Sequence, residues 1–329
     1  MARYLLRRLA LVLPLALGVA TLVFVLMETS PGDPVDLLLG DRPVPLEVRE
    51  RIERAYGFDQ PPLARYGHWM SALFLKGELG WSHSRSRPVA GLLADALPAT
   101  LVLAGAALIL HLLVGVTLGV VSASRHGSWP DRALTVGSLL LYAMPTFWLG
   151  LMAVLALSYF APIFPASSMQ SVGAEDWSFL HRLADRAWHL ILPACVLGLG
   201  SAAAMLRFVR AGLLETLGRE FVRAARARGL ADRRVMLGHA LRNSLLPVIN
   251  LVGLALPALI SGSLIVEVVF AWPGMGRLTY DAIRAQDVPV VLATTLLATL
   301  LVVLGSLTAD LLMAAVDPRI RLTGQRGVA

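Results

Sequence analysis

Six runs of apolar residues, each long enough to cross a ~30 Å hydrocarbon layer at ~1.5 Å of helix per residue, decide what this chain can fold into. They cover about residues 9–27, 97–123, 133–164, 190–206, 245–272 and 288–316 of the 329. Inside a bilayer the backbone has no water to bond to, so runs of this length must close their own hydrogen bonds as helices. With 57% hydrophobic and 16% charged residues, the chain is too apolar for an ordinary soluble domain. The expected fold is therefore an all-α integral membrane protein with six transmembrane helices. The third run is long enough to tilt or to overrun the membrane surface, and the fourth is near the minimum. The first is read as a retained helix: its apolar stretch exceeds a usual signal core, and Glu28-Thr-Ser-Pro31 follows where a small-residue cleavage site would stand.

The net charge of +7 is distributed by side rather than gathered into a nucleic-acid patch. The N-terminus, the loop 124–132, the segment 207–243 and the C-terminal tail together carry seventeen Lys/Arg against five Asp/Glu. The opposite loops carry twelve against fourteen. Positive charge collects in the cytoplasm, so both termini are expected there. The domain plan follows as a tail and first span over 1–29, an external insertion over 30–96, a five-helix core over 97–316 with a cytoplasmic loop at 213–243, and a tail over 317–329.

In the insertion, Val48, Ile52 and Tyr56 recur at helical spacing among Glu and Arg. After the Gln60-Pro-Pro break, Leu63, Tyr66, Met70, Leu73 and Phe74 outline a second amphipathic helix. Some 65 residues are too few for a separate core, so these helices are expected to lie on the membrane or to brace the mouth of the bundle. The segment 161–189 reads as loop with one helical turn. Pro145, Pro193, Pro247, Pro257, Gly253 and Gly262 interrupt the spans, as packing sites or where a helix borders a path.

Motifs for enzyme chemistry are missing: no G-x-x-x-x-G-K-[ST], H-E-x-x-H or G-x-S-x-G occurs, and Lys76 is the only lysine. Cys195 stands alone in an apolar run, so no disulfide or cysteine metal site is expected. His111 is alone in the second span and reads as a packing residue ahead of a proton-relay group. The segment 213–243 differs from the rest. Ala224, Ala225 and Ala227 favour a helix, Gly229 ends it, and Asp232 is placed to cap a second one bearing Arg233 and Arg234. The result is a basic helix–turn–helix knob outside the membrane, read either as a loop that holds topology or as a grip for a soluble partner.

The pattern Ala224-Ala225-x3-Gly229, then His239-Ala-Leu-Arg-Asn243-x3-Pro247, resembles the EAA loop of ABC importer permeases, in particular the dipeptide/oligopeptide/nickel-type family. Further motifs resemble that family in order along the chain: Ser30-Pro-Gly-Asp-Pro34, Gly57-Phe-Asp-Gln-Pro61 with Tyr66 and Trp69, and Gly77-Glu-Leu-Gly-Trp-Ser82. Leu97-Pro-Ala-Thr100, Met144-Pro-Thr-Phe-Trp148, Trp272-Pro-Gly-Met-Gly-Arg277 and Asp317-Pro-Arg-Ile-Arg321 complete the series. The external insertion is similar to that of the longer of the family's two permease subunits. Arg223 departs from the pattern, standing where the general loop has its glutamate.

The resemblance implies a heterodimer with a second permease, two cytoplasmic ABC ATPases that carry ATP and Mg²⁺, and an external binding protein that delivers short peptides or a nickel-type metal chelate. It implies no cofactor and no catalytic residue on this chain. The knob would dock on the ATPase through Glu220, Phe221, Val222, Arg223, Ala224, Ala225, Gly229, Leu230 and Asp232, with Phe221, Val222 and Leu230 as apolar anchors. Glu267 is costly to bury in lipid, so it is expected to face the path, binding a cationic substrate group, or to pair with an arginine of the partner permease. The turn holding Trp272, Pro273, Gly274 and Arg277 reads as an external gate or as an interfacial aromatic turn. Asp310 is expected to pair with an arginine. A self-sufficient secondary carrier is the alternative from another class, and it would need internal repeats with an ion site.

Overall fold

The computed structural model describes residues 2–29, 35, 45–56, 59–244, 255, 259 and 263–316. The expectations for Ser30 to Pro34, Gly57, Phe58, Pro247, Pro257, Gly253, Gly262 and Asp317 to Arg321 lie outside the described residues, as do the side chains of Ile52, Tyr56 and Asp310.

Helix α1 (Ala2–Glu28) contains the first apolar run and the apolar stretch Pro14–Leu26. Two surface helices follow, α2 (Leu46–Tyr56) and α3 (Pro62–Ser71). Pro61 and Pro62 open α3, as suits a residue with no N–H to satisfy in the first turn. A wider helical turn, Ala72–Lys76, extends α3 until Gly77 ends it at φ 69°, a backbone conformation natural to glycine. Helix α3 braces α1: Tyr66 and Trp69 pack on Phe24, Thr21 Oγ1 lies 2.7 Å from the Tyr66 hydroxyl, and Arg65 pairs with Glu28.

A two-residue hairpin, β1 (Trp81–Ser82) and β2 (Arg87–Pro88), pairs antiparallel and leads into α4 (Val89–Ser124). Helices α5 (Trp129–Ala143) and α6 (Thr146–Val154, continued to Phe160) come next, then α7 (Phe179–Leu217). Beyond α7 lie α8 (Glu220–Ala227) and α9, a continuous helical stretch built of Asp232–Arg234, Val235–Ala240 and Leu241–Ser244. A helical segment, 263–269, precedes α10 (Met275–Arg284) and α11 (Val288–Val316). Among the described residues three helices are long and apolar enough to cross a membrane, over Val89–Ser124, Phe179–Leu217 and Val288–Thr308. The fifth apolar run, 245–272, falls largely outside the described residues.

Two expectations need correction. The third apolar run is not one tilted helix: α5 and the helix Thr146–Phe160 meet at 102°. Pro145 supplies no N–H and disfavours helical geometry in the residue before it, and Met144 is extended with ψ 133°. The segment 161–189 is not loop with one turn. It holds a short turn at Ala174–Asp176, and then α7 begins at Phe179, well before the fourth apolar run. Extended Ser178 opens that helix, and neither glycine nor proline interrupts it before Pro193.

Helices α4 and α7 form the axis of the bundle. Gly115 and Gly119, one turn apart on α4, face Met205 and Val209 of α7. A Cβ at Gly115 would sit 2.6 Å from Met205 Cβ, and one at Gly119 2.7 Å from Val209 Cβ and 2.9 Å from the Leu206 carbonyl. Gly198 of α7 returns the contact, where a Cβ would lie 2.8 Å from the Ala107 carbonyl. Small residues at helical spacing thus bring two backbones together where lipid offers no hydrophobic drive for association. One core layer joins α4, α10 and α11, with Val89, Leu92, Met275 and Val290 in it; a second joins α4, α7 and the 263–269 segment through Leu103, Leu197 and Val266.

Candidate functional site

At the arginine-rich end of the bundle, α7 passes through Gly218 and Arg219 into α8, and Gly229 (φ 79°) turns the chain into α9. This is the expected knob, seated on the bundle by its own apolar core. Val222, Ala225, Val235 and Ala240 are buried against Ala123 of α4 and Leu213 of α7, and Leu230 is half-buried on the same cluster. Val222 is therefore not a docking anchor: at 0% exposure it holds the knob to its own bundle. The outward face presents Phe221, 40% exposed, together with Leu237, the small residues Ala224, Ala227 and Gly229, and a ring of arginines. Glu220 receives Arg223 Nη1 at 2.9 Å, and Asp232 Oδ1 receives Arg226 Nε at 3.0 Å. Asp232 does not cap α9, whose N-cap is Ala231; it ties the two helices of the knob together instead. Arg228, Arg233 and Arg234 carry no ion pair among the described residues.

The acid expected to face a path is turned inward. Glu267 is fully buried, and Thr100 Oγ1 donates to its Oε1 at 2.8 Å. Its Oε2 accepts the backbone N–H of Gly276 at 2.7 Å and of Arg277 at 3.1 Å, while Met275 N donates to Thr100 Oγ1 at 2.8 Å. These N–H groups are the first three of α10, which its own turns leave unsatisfied. Thr100 Oγ1 caps the first, and a carboxylate borrowed from the preceding helix caps the other two and meets the positive end of the helix dipole. Neither a partner arginine nor a substrate cation is needed, and Arg277 reaches the Ala271 carbonyl instead. The glycines of the motif have a direct cause. A Cβ at Gly274 would lie 2.4 Å from Glu267 Cδ, and one at Gly276 2.4 Å from Leu264 Cα. Trp272 is buried and donates Nε1–H to the Ala99 carbonyl at 2.9 Å, so it is no interfacial aromatic; Pro273 is exposed. Leu97-Pro-Ala-Thr100 and Trp272-Pro-Gly-Met-Gly-Arg277, 173 residues apart at their Ala99–Trp272 contact, form one structure.

A related lock closes the entry to α11. Buried Asp287 Oδ2 accepts from Ser82 Oγ at 2.6 Å, Ser84 Oγ at 2.7 Å and Ser84 N at 3.0 Å, which fixes the hairpin after Gly77-Glu-Leu-Gly80. Burial pulls the His83 imidazole below its ordinary range, against the raising effect of the Asp287 carboxylate. His111 is buried, with Nδ1 2.9 Å from Ser201 Oγ across the α4–α7 interface, in keeping with a packing role.

A constellation that sequence reasoning missed lies beside the knob. Asp131 of α5, 2% exposed, receives Arg210 of α7 through Nε at 2.7 Å and Nη2 at 2.9 Å. Ser122 Oγ of α4 donates at 2.5 Å and Gly127 N at 2.9 Å, and His126 Nδ1 lies 3.3 Å away. The available signal was that Asp131 is the only acid in the 124–132 loop, on the side that otherwise collects arginine.

Known proteins give this geometry a setting. Residues 115–322 match the family model "Binding-protein-dependent transport system inner membrane component", and residues 1–104 match the model of its N-terminal part. The chain is 39% identical over 321 residues to the oligopeptide transport system permease protein AppB of Bacillus subtilis, spanning 97% of this chain and 99% of that one. It is 35% identical over 341 residues to the dipeptide transport system permease protein DppB of Escherichia coli K12, covering 98% and 99%. Its fold is similar to that in an inward-facing structure of the MetNI methionine ABC transporter, with a TM-score of 0.55 and 19% identity over 69% of this chain and 97% of the other. With both parts of the family model matched in order and relatives aligned over nearly their whole length, the chain belongs to the family of binding-protein-dependent transport system inner membrane components.

Proposed function

We propose that this chain is one of two permease subunits of an ATP-driven importer of short peptides, embedded in the bacterial inner membrane with six spans and both termini in the cytoplasm. The observation that supports the coupling role is the knob: its inner face is locked to the bundle by Val222, Ala225 and Val235, and its outer face carries Phe221 and three arginines, Arg228, Arg233 and Arg234, with no ion pair among the described residues. Such a body moves as a unit with whatever grips it, which is what a lever between an ATPase and a membrane helix requires. The charge distribution of the sequence supports the orientation, since the knob stands on the arginine-rich side. The oligopeptide and dipeptide systems of the relatives support the peptide class.

Two partner ATPases hold ATP and Mg²⁺ and carry out hydrolysis, a second permease completes the path, and an external binding protein delivers the peptide. This chain supplies the path and the lever and binds no cofactor of its own. Glu267, Trp272, Pro273, Gly274 and Arg277 form a preformed turn at the outer end of the fifth span, placed to act as a gate by moving as a block. The test is purification of the tagged chain in mild detergent with identification of what accompanies it, followed by reconstitution and uptake of radiolabelled trialanine. A second permease and ATPases should co-purify, and uptake should require ATP and the binding protein. A chain that purifies alone yet still transports trialanine without ATP would establish a secondary carrier instead.

A further inference from the structure

The buried Asp131–Arg210 pair sits where α4, α5 and α7 meet, three residues before Leu213 of the knob's core, and it serves none of the roles described above. Its geometry is that of a strong contact: two parallel N–H···O bonds from one guanidinium, with Ser122 Oγ and Gly127 N filling the remaining carboxylate positions. Among the described residues, helix α5 contributes none to the apolar core that seats the knob on α4 and α7. At this end Asp131 is therefore its polar attachment to α7, the helix that runs on directly into the knob. From Asp131 the path is continuous. Helix α5 leads to the 102° break at Met144-Pro145, and on the far limb Gly150 approaches Val269, where a Cβ would meet Val269 Cγ1 at 3.1 Å. Val269 lies two residues beyond Glu267, which holds the Trp272 to Arg277 turn.

We propose that the Asp131–Arg210 pair is the joint through which movement of the cytoplasmic knob reaches the broken third span and, through it, the outer turn. Both are positioning residues for transport as well as contributors to folding. This rests on the importer reading, and it adds a route. The quantity that reads this route is transport per ATP hydrolysed, which a loss of stability or of ATPase turnover alone leaves in place.

The experiment uses the full complex reconstituted in liposomes, with trialanine uptake and ATP hydrolysis measured side by side. Removing one partner strands a buried charge and threatens folding; removing both avoids that penalty. The double variant Asp131→Asn/Arg210→Gln is therefore expected to insert and assemble, and to hydrolyse ATP within about twofold of the parent. Its uptake per ATP should fall roughly tenfold, equivalent to ~1.4 kcal/mol of lost coupling. Arg210→Lys keeps the charge and loses the fork, so it should assemble normally and show a smaller fall in the same ratio. Uptake per ATP unchanged in the double variant, or in Arg210→Lys should the double fail to assemble, overturns the joint. A parent complex that shows no ATP-dependent uptake overturns the importer reading instead.

Discussion

Glu267 shows how a single residue can be costly and still fixed in place. A bare carboxylate in apolar surroundings is unfavourable by several kcal/mol, and here three donors and a helix N-terminus offset that cost. Glu267→Gln replaces one acceptor oxygen by an NH₂ group that must face a donor, either the Thr100 hydroxyl or the two main-chain N–H groups. It should lower the stability of the purified complex by about 1–3 kcal/mol, read as a drop in unfolding midpoint in detergent. An unchanged midpoint would mean that the carboxylate is not the cap described. Gly276→Ala should be at least as damaging, because its Cβ meets backbone at Leu264 rather than a flexible side chain. The sequence announced Glu267 as an acid needing a partner but not which one. Its donors are main-chain N–H groups, which no residue identity marks, and a threonine 167 positions away. Asp131 was hidden for a related reason, since an acid in a polar loop looks solvated until Arg210 is brought beside it by the fold.

At the scale of elements, the α4–α7 contact depends on missing side chains. Gly119→Ala places a methyl against Val209 and the Leu206 carbonyl, and the helices must part to admit it. Overpacking of this kind costs about 1–3 kcal/mol. Gly105→Ala, on the same helix with nothing within 4 Å of its Cβ position, should be neutral or mildly stabilising through better helix propensity. Comparing the two melting temperatures separates close approach from a general effect of glycine in a helix, and equal shifts would remove the packing argument. Elements were legible wherever apolar length or a proline pair spoke: the helices at 46–56 and 62–71 and the knob stand where periodicity and turn chemistry put them. The 102° break was visible as Met144-Pro145 but not its angle, which depends on what α5 and α6 pack against. The early start of α7 was obscured because Arg182, Asp185, Arg186 and His189 give its first turns the composition of a loop.

For the whole molecule, the proposed lever requires the knob to separate holding from gripping, and two neighbouring residues test that division. Val222 is sealed between α4 and α7, so Val222→Ala opens a cavity inside the chain. It should cost about 2 kcal/mol of stability, from two lost methylenes and imperfect collapse around them. ATPase association per folded permease should then be nearly normal. Phe221, one position earlier on the same helix, is 40% exposed and lies outside the apolar core that the described residues build beneath the knob. Phe221→Ala should leave the stability of the isolated permease within roughly 0.5 kcal/mol of the parent, as surface substitutions do. If Phe221 is buried in an ATPase groove, the loss should be about 2 kcal/mol of binding, a roughly thirtyfold weaker association. Titrating purified ATPase onto the permease in nanodiscs measures that association directly, and the prediction is a crossed result, with one variant unstable and binding and the other stable and failing to bind. Both variants failing in stability alone would place Phe221 in the fold of this chain. Both failing in binding alone would mean that the knob unseats from the bundle when gripped, and a lever that unseats could not drive α7.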